Sequence, residues 1–286
     1  MSEILILYID HSVVSHEPSW APLGEVLASS KLRLALSLWN LVEIANAADQ
    51  AQRERRLSFL ERFKPLWIVE RVEVQRQEVR SFLWQQKFGV VPAEVCVVTP
   101  HLSVVDSYHT GSRARVGLTA RTWIDGIDLS SLGKLKHLAP AALSSLQTID
   151  KKAFGERQHE IFGAWIKGLI PAIDPEGKAL SVAQRIDLLN FCEKHQDQFL
   201  AACKSLAVED ALTTARISDL NRKPKPTDGI DLMHSVIALA YCDIFLVRDR
   251  FVRFCCEHAT RSLRTTKLAQ IYFSPSQLRD EVFCKA

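Results

Sequence analysis

Short apolar runs alternate along this chain with longer segments in which apolar residues recur every three or four positions. Residues 4–9, ILILYI, form a continuous β-rich run that is typical of a central strand in a parallel sheet covered on both faces. Further strands are predicted at 33–38 and 66–72, with a helix from Trp39 to Phe63 between them. Strand and helix therefore alternate from the first residues onward.

The same alternation returns near the other end of the chain. The pattern predicts a helix at about 229–241, a strand at 244–247, a helix near 250–264 and a last strand at 269–273. Strands that alternate with helices indicate an α/β fold, in which right-handed crossovers connect parallel strands of one sheet.

The segment between these two parts has a mainly helical pattern and ends in a basic, proline-rich stretch, NRKPKPTDG, at 221–229. We therefore predict that residues 1–90 and 227–286 form one core. Residues 91–226 are predicted to be a mainly helical insertion or subdomain.

The composition of the chain says more about its possible functions than about its fold. Hydrophobic residues make up 47% and charged residues 24% of the chain, as in ordinary globular proteins, and the net charge of +3 limits any basic surface to a local patch. Seven cysteines without C-x-x-C spacing argue against a zinc site or a disulfide framework. Acids flank the first apolar run, with Glu3 before it and Asp10 after it, which predicts a soluble, cytoplasmic protein without a membrane span.

Four acids fall where predicted strands end or predicted helices begin. Asp10 directly follows the first strand, Asp249 comes shortly after the fourth, Glu43 lies early in the helix after the second strand, and Asp231 opens a later helix. In open α/β sheets the functional crevice lies outside the carboxyl ends of the strands. We therefore expect these four carboxylates to point toward one edge of the sheet.

Carboxylates held close together raise one another's pKa and destabilise the fold unless a cation lies among them. Such oxygen ligands suit Mg²⁺ or Mn²⁺, and two ions in such a site support phosphodiester hydrolysis. Each acid also has a purely structural interpretation: Asp10 as a turn residue, Asp231 as a partner of the helix dipole, Glu43 as a solvated helix residue and Asp249 as a loop acid.

Other polar residues are predicted to support these acids. Asp228 is placed to cap the helix that carries Asp231, and His234 lies on the same helix face, where a hydrogen-bonded core histidine is the alternative. Ser12 and Arg248 each neighbour one of the acids. Arg248 and Arg250 are predicted to contact phosphate. The same contact is predicted for three residues of the basic stretch, for which a solvated linker is the alternative: Arg222, Lys223 and Lys225.

The order of the acids resembles the PIN domain family of metal-dependent ribonucleases. The matching positions are Asp10 in YIDHSVV, Glu43 in SLWNLVEIA, Asp231 in DLMHSVIALAY and Asp249 in FLVRDRF. The resemblance covers roughly 1–80 and 227–275. It implies a three-layer sandwich around a central parallel sheet, with the four acids as metal ligands.

The resemblance also implies a function: Mg²⁺- or Mn²⁺-dependent endonuclease action on single-stranded or looped RNA, in a toxin or defence role. An antitoxin or a second copy of the chain is then a candidate partner. Two positions depart from the family pattern. His11 and Ser12 replace the usual Thr or Ser followed by Asn, and Val247 replaces a common threonine.

Two alternatives remain at this point. Val247 and the large middle segment are compatible with a catalytically degenerate PIN-like module that binds RNA or a protein without cleaving. A phosphatase of the haloacid dehalogenase type also begins with an aspartate after its first strand. That mechanism needs a second aspartate two residues later, where this chain has Ser12.

Overall fold

A mixed six-stranded sheet runs through the structure, which is a computed structural model that describes residues 4–29, 31–47, 49–127, 163–218 and 228–284. The strands are β1 (Leu5–Ile9), β2 (Leu32–Leu36), β3 (Leu66–Ile68), β4 (Val98–Thr99), β5 (Ile244–Leu246) and β6 (Gln270–Tyr272). Their order is β4-β3-β2-β1-β5-β6. All neighbours are parallel except β3 and β4, which are antiparallel.

Helices occupy most connections between these strands. They are α1 (His11–Val14), α2 (Trp20–Ser29), α3 (Leu38–Ala45), α4 (Gln50–Glu61), α5 (Arg71–Phe88), α6 (Leu102–Thr110), α7 (Ala120–Gly126), α8 (Val182–Lys194), α9 (Gln196–Ala202), α10 (Lys204–Ser218), α11 (Asp228–Tyr241), α12 (Arg250–Ser262) and α13 (Pro275–Cys284). The predicted α/β class is confirmed, although the sheet is mixed rather than wholly parallel.

Strand β1 lies at the centre of the sheet and is covered on both faces. Leu7 and Ile9 belong to one hydrophobic cluster, whereas Tyr8 belongs to a second cluster on the opposite face, as the alternation of side chains along a strand requires. The Asp243 carboxylate accepts a hydrogen bond of 2.8 Å from the Ile6 backbone N–H, which fixes the junction between α11 and β5 against β1. A polar side chain thus secures the register of an apolar strand.

The predicted helix over 39–63 is two helices, so this prediction was wrong in its extent. Helix α3 ends at Ala45 with Asn46 as its C-cap, and α4 begins after Asp49, whose side chain accepts from the Ala51 backbone N–H at 2.9 Å. Asn and Asp side chains compete for backbone groups and favour helix ends, which is why the helix breaks although its spacing continues.

The strand predicted at 66–72 is also shorter, because Glu70 caps the following helix. Its side chain accepts from the Val72 backbone N–H at 2.9 Å, so the chain leaves β3 after Ile68 and enters α5 at Arg71. An acid at a helix N-terminus is stabilised both by this bond and by the helix dipole.

Residues from the predicted insertion contact the sheet directly. Strand β4 pairs with β3, α6 and α7 pack in the first cluster, and α10 packs in the second cluster with α11 and α12. Helices α8 and α9 form a third cluster against α5. The division into a core and an insertion stays a prediction, and the described part of 91–226 makes extensive contacts across its proposed boundary.

A buried carboxylate joins the middle helices to the core. Glu78 on α5 is 2% exposed and accepts hydrogen bonds from the Ser205 backbone N–H at 2.8 Å, from the Ser205 hydroxyl and from the Tyr241 hydroxyl. Burial raises the pKa of Glu78, while these hydrogen bonds act in the opposite direction. The three residues tie α5, α10 and α11 together.

Candidate acidic site at the carboxyl edge of the sheet

The carboxyl ends of β1 and β5 lie side by side, and each is followed by one of the predicted site acids. Ile9 pairs with Leu246, and the Asp10 backbone N–H donates to the Leu246 carbonyl at 2.9 Å. Asp249 follows the end of β5 and precedes α12. The structure therefore places Asp10 and Asp249 at the same edge of the sheet.

Each of these two acids caps the helix that follows it. The Asp10 Oδ2 atom accepts from the Ser12 backbone N–H at 2.9 Å, and Asp249 Oδ1 accepts from Phe251 at 2.7 Å and Val252 at 3.0 Å. Within the described residues, Asp10 Oδ1 and Asp249 Oδ2 make no hydrogen bond. The backbone thus fixes one oxygen of each carboxylate, and the other oxygen is left for a further partner.

Ser12 connects the two acid-bearing loops. Its hydroxyl oxygen accepts from the Arg248 backbone N–H at 3.0 Å and from the Asp249 backbone N–H at 3.3 Å. The Ser12 backbone N–H binds the Asp10 carboxylate, in line with the supporting role predicted for Ser12. Its hydroxyl instead holds the loop that carries Asp249.

His234 lies behind Asp10 in the interior and is 4% exposed. Its Nδ1 atom is 3.0 Å from the Tyr8 hydroxyl, and its Nε2 atom is 3.7 Å from Asp10 Oδ1, which is too far for a hydrogen bond. Burial lowers the pKa of His234, although the negative charge of Asp10 favours protonation. The imidazole is therefore neutral near pH 7 and does not neutralise Asp10.

Helix α3 is anchored to the end of β1 by a buried capping box. The Ser37 backbone N–H donates to Asn40 Oδ1 at 2.8 Å, and Asn40 Nδ2 donates to the Ile9 carbonyl at 3.1 Å. The Ser37 hydroxyl also lies 3.0 Å from the Tyr8 hydroxyl. These bonds fix the first turn of the helix that carries Glu43.

The Glu43 carboxylate on α3 lies next to His11, the first residue of α1. Its Oε2 atom is 3.7 Å from His11 Nδ1. Burial, together with the nearby guanidinium of Arg56, lowers the pKa of His11 to about 4. His11 is therefore neutral near pH 7, so this contact is not an ion pair.

Asp231 lies on α11, one turn before His234, and is half-buried. Its carbonyl accepts from the Ser235 hydroxyl at 2.6 Å. Asp228 is the first residue of α11, and its side chain lies outside what the structure describes. Asp231 therefore shares a helix with His234, the residue that lies against Asp10.

The donor chemistry of these acids fits a hard divalent cation, but the ligands are not assembled around one point. Among the described residues, no three His, Cys, Asp or Glu side chains form a group that could hold a metal ion. Mg²⁺ and Mn²⁺ prefer carboxylate oxygens, and Asp10 and Asp249 each have one that no hydrogen bond uses. Carboxylates also repel one another without a cation between them.

Exposed basic residues lie beside Asp249. Arg248, two residues before α12, and Arg250, the first residue of α12, are both exposed. Further along this helix the exposed face continues with Arg253, Phe254 and Arg261. The other predicted phosphate contacts, Arg222, Lys223 and Lys225, lie outside the described residues.

Several site residues were missed by sequence reasoning. Tyr8, Ser37 and Asn40 form the buried polar connection behind Asp10, and Arg56 is 7% exposed near His11. The spacing of Ser37 and Asn40 is a helix-capping signal that was available in the sequence. Tyr8 stands two positions before Asp10, on the same strand face, which was a second available signal.

Comparison with known proteins gives no family for the chain. No family model matches it, and neither a curated protein nor a solved structure matches it. Of the helices that the structure describes, none is long and apolar enough to span a membrane.

Proposed function

We propose that this protein is a Mg²⁺- or Mn²⁺-dependent endoribonuclease with a PIN-like, three-layer core that cleaves single-stranded RNA. The observation that supports this most is the hydrogen bond between the Ser12 hydroxyl and the Asp249 backbone, which holds the Asp249 loop against the loop of Asp10. Two carboxylates fixed in this way, each with one oxygen that no hydrogen bond of the described residues uses, are suitable first ligands for a metal ion.

In this proposal Asp10, Glu43, Asp231 and Asp249 are the metal ligands. Bound ions of this kind activate water and stabilise the leaving oxygen of a phosphodiester. The protein chain positions the carboxylates and supplies their negative charge. The helix caps at Asp10 and Asp249 fix the direction of one oxygen each, and the buried imidazole of His234 beside Asp10 is neutral near pH 7.

RNA as the substrate rests on the resemblance to PIN ribonucleases and on the charges next to the acids. Arg248 and Arg250 are exposed beside Asp249 and are suited to bind the phosphates of a strand. An unpaired strand is favoured because its bases can turn away from the backbone and enter the protein. A toxin or defence role, with an antitoxin as partner, remains part of the proposal.

A module that binds RNA without cleaving it is the alternative, and Val247 favours it. This side chain is fully buried and offers only methyl groups where PIN ribonucleases often have a hydroxyl near the metal ions. The alternative keeps the same RNA-binding edge. It differs from the nuclease in one measurable property, which is cleavage.

The test is a cleavage assay on a labelled single-stranded RNA with Mn²⁺, with Mg²⁺ and with EDTA. We expect cleavage with either metal, none with EDTA, and none from the Asp10→Asn and Asp249→Asn variants. Asp187→Asn is the matched control, because Asp187 is an exposed aspartate on α8.

Three outcomes distinguish the proposals. Metal-dependent cleavage that requires Asp10 and Asp249 supports the nuclease. Binding of the RNA without cleavage in any metal supports the non-cleaving module. Cleavage that persists in EDTA contradicts the metal mechanism, because EDTA removes the ions that would activate water.

A further inference from the structure

A cavity of about 350 Å³ lies next to the acidic edge, among α3, α6, α7, α11 and the start of α5. Most of its wall is apolar, and Trp39 and Trp123 contribute aromatic rings. Ser37 and His234 also line it, and both hydrogen-bond to the Tyr8 hydroxyl behind Asp10. The cavity and the proposed catalytic site therefore share a wall.

The same two helices carry both the acids and the cavity lining. Trp39 lies one helical turn before Glu43 on α3, and His234 lies one turn after Asp231 on α11. This arrangement suggests a route by which a strand bound at the acids could place a neighbouring base in the cavity. The volume is near the lower end for small-molecule pockets, about 300 to 1,000 Å³, and suits a base with its sugar.

The charged groups that line the cavity favour a base over a phosphate. Arg71 is committed elsewhere, because its guanidinium bonds to the Glu209 carboxylate and lies 5.8 Å from the centre of the Trp165 ring. Glu70 uses Oε2 to cap α5 by accepting from the Val72 backbone N–H at 2.9 Å. Within the described residues its Oε1 makes no hydrogen bond, so Glu70 offers an acceptor to a ligand that carries N–H groups.

The two tryptophans have different parts in this wall. The Trp123 indole N–H donates to Asp106 Oδ1 at 2.9 Å, so Trp123 is fixed and contributes apolar surface. Trp39 is half-buried, which leaves part of its ring accessible. An accessible indole ring is a suitable stacking partner for a nucleobase.

We propose that this cavity binds one unstacked nucleobase that carries an exocyclic amino group, with the base against Trp39 and the amino group donating to Glu70. Adenine, cytosine and guanine have such a group, whereas uracil does not, and a carboxylate accepts amino protons as Glu and Asp do from cytosine N4. The inference rests on the proposed nuclease function for the strand that delivers the base. It adds to that function a preference for an amino-bearing base in the nucleotide beside the scissile phosphate.

The test measures by calorimetry how tightly AMP, CMP, GMP and UMP bind to the whole chain. EDTA is present, so that metal-dependent cleavage does not contribute to the result. Ribose 5-phosphate is the ligand without a base. We expect the three amino-bearing nucleotides to bind more tightly than UMP, and ribose 5-phosphate to bind most weakly. No detectable binding of any nucleotide at millimolar concentration, or equal binding of all five ligands, overturns the proposal.

Two pairs of variants assign the contacts. Trp39→Ala should weaken AMP binding by about tenfold or more, the scale of base stacking on an aromatic ring, whereas Trp39→Phe should retain most of it. Trp84→Ala is the control, because Trp84 is a half-buried tryptophan on α5 that does not line the cavity. An equal effect of Trp39→Ala and Trp84→Ala contradicts the stacking contact.

Glu70→Gln tests the amino preference without removing the helix cap, since the glutamine carbonyl still accepts from the Val72 N–H. The new amide donates to a base carbonyl, so the preference over UMP should shrink or reverse. Glu73→Gln, on the same helix but outside the cavity lining, should leave it unchanged. An unchanged preference in Glu70→Gln overturns the assignment to Glu70, and this assay also remains informative if Trp39→Ala does not fold.

Failure of this inference and failure of the proposed nuclease are distinguishable. Nucleotide binding without RNA cleavage contradicts the nuclease and leaves the base cavity intact. Metal-dependent cleavage without nucleotide binding, or with no change in Trp39→Ala, overturns the cavity proposal alone.

Discussion

The Tyr8 hydroxyl lies 3.0 Å from His234 Nδ1 and, on its other side, 3.0 Å from the Ser37 hydroxyl. Tyr8 is fully buried, so these bonds hold strand β1, helix α3 and helix α11 together in the interior. Asp10 follows on the same strand face, two residues later. The position of one proposed metal ligand therefore depends on a polar connection that solvent does not reach.

Replacing Tyr8 by Phe should destabilise the protein by about 1 to 3 kcal/mol, because the buried His234 and Ser37 groups lose a hydrogen-bond partner. Urea unfolding monitored by circular dichroism measures this change. Tyr108→Phe is the control, since Tyr108 is 43% exposed and should unfold like the wild type. If both variants keep wild-type stability, the Tyr8 hydroxyl has no structural part in the site.

Replacing Ser12 by Ala removes the oxygen that accepts from the Arg248 and Asp249 backbone N–H groups. We expect a loss of about 1 kcal/mol in stability and a lower rate of metal-dependent RNA cleavage, because the Asp249 loop is no longer held. Ser12→Thr keeps the oxygen and should restore most of both properties. Ser112→Ala, at an exposed serine, is the control. Equal activity of the Ala and Thr variants contradicts this role.

The two functions of Asp249, capping and charge, can be separated by two substitutions. Asp249→Asn keeps an oxygen for the N-cap and should be about as stable as the wild type in EDTA, whereas Asp249→Ala should lose about 1 kcal/mol. The wild type should gain about 2.7 kcal/mol when free Mn²⁺ reaches roughly a hundred times its dissociation constant. Both variants should gain much less, which thermal unfolding with and without Mn²⁺ measures.

A different result would change the interpretation of Asp249. If Mn²⁺ shifts the unfolding of wild type and variants equally, or not at all, Asp249 is a structural cap and not a metal ligand.

The raised pKa of Glu78 predicts a specific pH dependence of stability. The folded protein holds this proton more tightly than the unfolded chain does. The stabilisation is therefore fully present below the unfolded pKa and is lost as pH rises through the folded pKa. Glu78→Gln has no proton to lose, so the wild type should lose more stability than this variant between about pH 5 and pH 8.

Urea unfolding at several pH values measures this difference, with Glu73→Gln as the control on the same helix. The control should follow the wild-type curve, because Glu73 is not part of the buried connection to α10. Parallel curves for wild type and Glu78→Gln would mean that Glu78 is ionised in the folded protein throughout this range.

Apolar runs that end at a capping residue were the most predictable part of this fold. Strand β1 ends just before Asp10, and α12 begins after Asp249, within a residue or two of the predicted boundaries. In both places one side chain ends the apolar pattern and also binds backbone N–H groups. Sequence pattern and local physics therefore indicate the same boundary.

Other elements depended on contacts that a local pattern does not contain. The break between α3 and α4 was missed because helical spacing continues through Asn46 and Asp49. Strand β4 has two residues and is defined by its pairing with β3, far away in sequence. The sequence places Tyr8 on the same strand face as Asp10, but only the folded arrangement shows that its hydroxyl lies between α3 and α11.

The central position of β1 has a consequence for biosynthesis. One edge of this strand pairs with β5, and the bond from Ile6 to Asp243 spans 237 positions. During synthesis, residues 5–9 leave the ribosome long before their partners at 244–246. One edge of this apolar strand therefore stays unpaired until most of the chain has been made. Nascent chains that stop before β5 should therefore bind general chaperones and aggregate without them, whereas release after β6 lets the sheet close.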